Sequence, residues 1–217
     1  MANENLPLGG VYLAPTRNPF NYEKFEQISR DIATEWLTLD EITQQLNLYG
    51  DESQDPFLQG LELAVRMHIE DYLGLPVFPI SYRVYYGASS LYGSPLTLDL
   101  PEVSQGGVKI NSVKYYDASS PTVLTTLPVT QYYYDPNSNK IIINSMPTEI
   151  NSYMTNPVVA EYTVSPSFLA QYPVIKQAAL LLLTHLYNNR SETTSGGLQT
   201  IPYGIDALLR PYKPLVL

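Results

Sequence analysis

Apolar residues recur at helical spacing in some stretches of this chain and alternate in others. Phe25, Ile28, Ile32 and Trp36 fall three or four residues apart and predict a helix from about Tyr22 to Trp36. "TLDE" then sets Thr38 three residues before Glu41. This is a capping box, in which each side chain satisfies a backbone N–H at a helix start. A second helix should open with Asp55 as N-cap and Pro56 in the first helical position. Leu58, Leu61, Val65, Ile69 and Tyr72 give it one apolar face, and Gly74 followed by Pro76 should stop it.

Beyond Leu75 the pattern shortens. Runs rich in Val, Ile, Thr and Tyr, divided by Gly, Pro, Asn and Asp, predict strands near Ser81–Tyr86, Leu96–Leu100, Val108–Asp117, Gln131–Tyr134, Lys140–Asn144 and Val158–Val164. "DPNSNK" at Asp135–Lys140 reads as a hairpin turn. Pro173 to Arg190 predicts a long helix that is apolar nearly all round and so buried on more than one side. Ala178, Leu181, Leu182, His185 and Leu186 can share one face, with Leu180, Leu183 and Tyr187 extending it. A loop, "SETTSGGLQT", leads to the closing stretch.

The expected fold is therefore α+β. A helical body, made of a helix pair and a long C-terminal helix, carries an inserted antiparallel β module, sandwich-like or a partly closed barrel. The expected organisation is an N-terminal extension over 1–37, the helical body over 38–74 and 166–200, the β module over 75–165, and a C-terminal tail over 201–217 that forms an interface. The helices on either side of the β module should pair.

Composition narrows the function. The 217 residues carry a net charge of −9 and only 15% charged residues, against about 25% in an average globular domain. Twelve Lys and Arg with no basic run do not make a duplex-gripping surface. With no cysteine, disulfides, thiol catalysis and cysteine metal sites are excluded. The N-terminus lacks the charged and apolar regions of a signal peptide. The longest wholly apolar run, Ala178 to Leu183, is six residues, where a membrane span needs about twenty.

Catalytic signatures are sparse. His68 and His185 stand alone on helices, so zinc has no ligand set, and a lone helical histidine reads as a core or boundary residue. "GASSLYG" misses the nucleophile-elbow pattern at its last position. Neither a phosphate loop nor a dinucleotide fingerprint is present. Asp99, Glu102, Asp117, Asp135, Glu149 and Glu161 are scattered carboxylates that a hydrolase would have to bring together. The 19 tyrosines are the unusual feature. Tyr85–Tyr86, Tyr115–Tyr116 and Tyr132–Tyr133–Tyr134 lie in predicted strands, where neighbours point to opposite faces. Core filling, a protein interface and sugar binding all remain open for them.

"TLDEITQQLNL", "LELAVRMHIEDYLGLPVFPISYRV", "GVKINSVKYYD", "PVIKQAALLLLTHLYNNR" and "IPYGIDALLRPYK" follow one another in an order that resembles the head-to-tail connector, or portal adaptor, proteins of tailed bacteriophages. The resemblance covers roughly Thr38 to Lys213, and the 1–37 extension departs from it. It implies a structural virion protein in the phage neck, assembled in the host cytoplasm as a ring of about twelve copies beneath the portal protein. It implies no catalysis, cofactor, metal or membrane. Genome DNA would pass through the ring without sequence-specific binding, and a further neck or tail protein would lie below.

The resemblance makes the closing stretch a portal-docking segment, with Tyr203, Leu208, Leu209, Arg210, Pro211, Tyr212 and Lys213 as contacts. Leu208 and Leu209 would bury apolar surface, or Ile205 and Leu208 would face the protein's own body while Arg210 onward reached the partner. Copies would pack through Leu58, Leu61, Val65, Ile69, Tyr72, Leu180, Leu183 and Tyr187. The alternative is a β-rich carbohydrate-binding or adhesin-like tail module.

Overall fold

The computed structural model describes residues 21–50, 52–87, 91, 96–103, 107–120, 122–145, 147–151, 153–189 and 203–213. Residues 1–20 of the expected extension, the loop at 191–200, and Arg190, Ile201, Pro202 and Pro214 lie outside them. Four helices are described: α1 (Leu39–Leu46), α2 (Asp55–Leu73), α3 (Pro173–Asn188) and α4 (Tyr203–Leu209). Eight strands are described: β1 (Lys24–Arg30), β2 (Ile80–Tyr86), β3 (Leu96–Asp99), β4 (Val108–Tyr116), β5 (Leu124–Thr126), β6 (Tyr132–Asp135), β7 (Lys140–Ile143) and β8 (Val158–Val164). They form a five-stranded sheet in the order β1-β2-β8-β4-β5 and a three-stranded sheet in the order β3-β7-β6. The fold is α+β with two antiparallel sheets.

Chain contacts divide the molecule into two compact units, 1–26 with 83–101 and 110–161, and 27–82 with 102–109 and 162–217. The divisions fall within strands β1, β2, β4 and β8.

The second unit holds all four helices. The α1 capping box is present, with the Glu41 N–H donating to Thr38 Oγ1 at 3.2 Å and the Thr38 N–H to Glu41 Oε2 at 2.9 Å. Gly74 ends α2 in the left-handed region at φ 62°, a conformation that costs glycine little. The α2 N-cap is Gln54 rather than Asp55, because a 3-10 turn at Glu52–Gln54 runs directly into the helix. Helices α2 and α3 pair, and α1 and α4 pack on α3. Leu58, Val65, Ile69, Ile175, Ala178, Ala179, Leu182 and Leu183 form the centre of their core. The expected apolar face of α3 is rotated. Leu181 and Leu186 are exposed, while Ile175 and Ala179 are inside, because neighbours cover α3 on the side of Ala178, Ala179, Leu182 and Leu183.

One polar stripe is buried with this core. Glu62, Arg66 and Glu70 stand at i, i+4 and i+8 on α2, so they line one side of the helix. Their side chains hold segment 30–37. Glu62 Oε1 accepts the backbone N–H groups of Trp36 and Leu37 at 3.1 and 3.4 Å. Arg66 donates to the carbonyls of Asp31 and Thr34, and its guanidinium lies 4.9 Å from the Phe78 ring centroid. Glu70 pairs with Arg30 at 2.7 Å and accepts the Val77 N–H at 2.7 Å. Trp36 then donates from Nε1 to the Ala170 carbonyl at 3.0 Å.

The first unit has its own apolar centre, in which Val84, Tyr86, Leu98, Val113, Leu127, Ile141, Val158 and Ala160 are fully buried. The β6–β7 hairpin pairs Tyr132 with Ile143 and Asp135 with Lys140. Asp135 caps its turn by accepting from the Asn137 N–H and the Ser138 hydroxyl, and Asn139 takes the left-handed position at φ 55°. The Tyr86 hydroxyl donates to the Asp99 carbonyl at 2.8 Å.

The helix expected over Tyr22–Trp36 is absent. Residues Lys24–Arg30 are strand β1 instead. Local spacing favoured a helix, but an extended chain lets Lys24 and Glu26 reach Tyr85 and Arg83 of β2. Strand β5 was also not anticipated. It has only three residues, paired to β4 through Lys114–Thr126 and Tyr116–Leu124.

Burial is the main cause that raises the Glu62 carboxyl above its usual range, against the lowering effect of the Trp36 N–H and Arg66. A carboxyl raised in the folded state favours folding most at low pH, and that contribution fades as pH rises through its folded value. Glu62→Ala should lower unfolding free energy at pH 7 by about 2–4 kcal/mol, because it strands two buried N–H groups and unbalances Arg66. Glu62→Gln keeps an acceptor and should cost less than Glu62→Ala while flattening the rise in stability below neutral pH. Urea denaturation across pH 4–8 measures both.

Candidate interaction surface at the C-terminal segment

Helix α4 is short, and its amphipathic spacing decides what it presents. Ile205 and Leu209, one turn apart, are 3% and 2% exposed in the helical core, and Leu208 is half-buried beside them. The pair facing inward is thus Ile205 and Leu209, not Ile205 and Leu208. Leu209 already buries its side chain in the protein's own body. Tyr203 begins the helix, and its side chain lies outside the described residues.

A 3-10 turn, Arg210–Tyr212, follows without a break. Arg210, Pro211 and Lys213 are exposed. Tyr212 is half-buried and meets the Tyr172 ring edge-on, with centroids 5.8 Å apart. Tyr172 in turn meets Phe168 at 6.0 Å. The Lys213 ammonium lies 4.7 Å from the centroid of Tyr72, near the end of α2. Phe168, Tyr172 and Tyr212 therefore make an aromatic row, exposed at Phe168 (58%) and Tyr172 (38%) and half-buried at Tyr212, with the cations Arg210 and Lys213 near Tyr212 in the chain. Tyrosine and arginine anchor protein interfaces because they bury large area and form several directed bonds.

Charge sets this region apart. Residues 162–217 carry four Lys and Arg against two Asp and Glu, in a chain of net −9. Sequence reasoning found Tyr212 but missed Phe168 and Tyr172. Their signal was an aromatic pair just before the helix-starting proline, and only the fold brings them to Tyr212.

The residues expected to pack between copies divide into two groups. Leu58, Val65, Ile69 and Leu183 are at most 1% exposed and belong to the chain's own core. Leu61, Tyr72, Leu180 and Tyr187 pack against that core and keep part of their surface open. Tyr187 also meets Phe57, with centroids 6.2 Å apart.

The helical unit also contains a cavity of about 250 Å³, lined by Arg30, Glu70, Asp71, Tyr82 and Glu102 among others. Of the scattered carboxylates only Glu102 reaches it. Burial first, and the Asp71 charge second, push Glu102 up. Burial and the Glu102 charge push Tyr82 up to about 12. Tyr82 stacks on Tyr162, whose hydroxyl accepts the Glu102 N–H. Glu70 is committed to Arg30 and Val77, and the Arg30 pair holds the end of β1 against α2.

His68 is exposed on α2 and His185 half-buried on α3, and no group of three metal-ligating side chains comes together among the described residues. No described helix is long and apolar enough to cross a membrane.

No protein-family model matches the chain, and no curated protein does either. Solved structures do. The chain is similar to one in the virion of a native gene transfer agent (GTA) particle, with 18% identity and a TM-score of 0.62. It is similar to one in the neck of an empty GTA particle computed with C6 symmetry, at 18% and 0.60. It is also similar to one in the neck of a native GTA particle computed with C12 symmetry, at 17% and 0.58. Each likeness covers 90% of this chain and 97% of the other. The property shared across these pairs is the fold.

Leu209→Ala should destabilise the protein by about 2–4 kcal/mol by opening a cavity under α4. Arg210→Ala should stay within about 0.5 kcal/mol of the parent, since its side chain is exposed. Thermal and urea unfolding of the two variants would separate the anchoring residue from the presented one.

Proposed function

We propose that this chain is a structural protein of a phage-like virion neck. In finer terms it is a head-to-tail connector, or adaptor, that forms a ring of about twelve copies beneath the portal. The reading rests on one observation above the others. The fold matches, over nearly the full length of both chains, that of chains in gene transfer agent necks. A neck computed with twelvefold symmetry supports the copy number.

The C-terminal segment docks on the portal protein in this reading. Leu209 and Ile205 fix α4 to the body, and Arg210, Pro211, Tyr212 and Lys213 are presented beyond it, with the open part of Leu208 alongside. Pro211 restricts the free chain and lowers the entropy lost on docking. Copies meet through the open parts of Leu61, Tyr72, Leu180 and Tyr187. The low count of Lys and Arg suits a channel through which DNA slides, since each phosphate contact would hold the genome back. No catalytic step or cofactor enters this function. A further neck or tail protein binds below the ring, and the protein resides at the head–tail junction after assembly in the host cytoplasm.

Native mass spectrometry of the full chain mixed with the portal ring of the same virus tests this reading. The expected result is one complex of fixed stoichiometry, near one copy per portal subunit. Arg210→Ala combined with Tyr212→Ala should weaken it at least tenfold while circular dichroism stays unchanged. Folded parent protein that fails to bind the portal at micromolar concentration would end the docking reading.

A further inference from the structure

The five-stranded sheet ends in β1 on one side and β5 on the other. Among the described residues nothing pairs with the outer edge of either strand. A free edge presents a row of unpaired N–H and C=O groups, and proteins usually blunt it with charged side chains, lysine above all. Strand β5 lacks that protection altogether, and β1 has it only in reduced form.

Strand β1 has three charged residues, and each is paired within its own molecule, although Lys24 keeps 60% of its side chain exposed. Lys24 pairs with Glu26 at 3.2 Å and lies 5.1 Å from the Tyr85 ring centroid. Glu26 accepts from Arg83 and from the Tyr85 hydroxyl. Arg30 is held by Glu70. Phe25 and Ile28 are left 42% and 41% exposed.

Strand β5 has no charge at all. It lies within Ala118–Tyr134, seventeen residues without Asp, Glu, Lys or Arg, in a chain of net −9. Val123 and Leu124 there are 56% and 39% exposed.

From these edges we infer that the sheet continues from copy to copy, with β1 of one protomer pairing along β5 of the next. This rests on the ring reading above and adds to its helical contact a strand-to-strand contact between copies. Charge selects the partner. Two acidic copies repel over most of their surfaces, and they approach at least cost where one edge is uncharged and the other has its charges neutralised internally. Pairing also satisfies backbone groups on both strands and takes Phe25, Ile28 and Leu124 out of water. Because the two edges are different surfaces, the contact is head-to-tail, the kind that closes into a ring when the rotation between copies allows it.

The absence of native cysteine makes the test clean. Gln27→Cys or Ile28→Cys, one for each face of β1, would be combined in turn with Leu124→Cys, Thr125→Cys and Thr126→Cys. Each variant would be mixed with the portal ring and oxidised, with the parent chain assembled in parallel. Strand pairing brings Cα atoms to about 4.5–5.5 Å, within disulfide reach. The expected result is a ladder of covalent oligomers from at least one of the six variants, while single-cysteine variants give dimers at most. Leu124→Lys should reduce ring formation at least tenfold without loss of fold. Rings that form from every variant with no ladder would overturn the edge pairing and leave the ring reading standing. If the parent chain forms no ring, the ring reading and this inference fail together.

Discussion

The buried charges of helix α2 are the constraint on which the helical unit depends. Glu62, Arg66 and Glu70 cannot be left unpaired inside, since an unpaired buried charge costs several kcal/mol. Segment 30–37 meets that demand with Arg30, two backbone N–H groups and two carbonyls. In doing so it places Trp36 against the Ala170 carbonyl and closes the core between α2 and α3. The end of the stretch read from sequence as an N-terminal extension thus packs on the helical body. Buried ion pairs are weak contributors to net stability, but they penalise every arrangement that leaves one member alone, so they select a single docking of this segment.

That closed core gives α4 a surface to rest on. Ile205 and Leu209 hold the helix, and the 3-10 turn beyond it carries Arg210 and Pro211 outward with Tyr212 braced on Tyr172. A rigid mount matters for docking, because a pre-formed contact loses less conformational entropy on binding than a free tail does.

The sheet shows a complementary economy of charge. Across one half-buried face Glu161 binds Arg83 at 2.7 Å and Lys114 at 3.1 Å, while Glu26 engages Arg83 from the other side. Burial alone would raise Glu161, but its bonds to Arg83 and Lys114 outweigh that and leave it lowered, while the same bond to Glu161 raises Arg83. These internal pairs neutralise the cations of the interior strands β2 and β4.

Sequence alone determined whatever rests on local chemistry. The Thr38–Glu41 capping box, the Gly74 stop, the α2 and α3 helices, the Asp135–Lys140 hairpin and β8 from Val158 to Val164 were all legible, because each is fixed by residues a few positions apart. The closing segment was legible as an apolar stretch needing cover, though not which of its leucines would be covered. Tertiary structure decided the rest. Residues 24–30 satisfy a helical spacing equally well, and they became a strand because their partners lie on β2, about sixty residues away. The periodicity of α2 does not mark Glu62, Arg66 and Glu70 as buried, and they are so because segment 30–37 covers them. The Phe168–Tyr172–Tyr212 row exists only where α3 and the C-terminal turn meet. Periodicity states which residues share a face, but what covers that face is settled by contacts far apart in the chain.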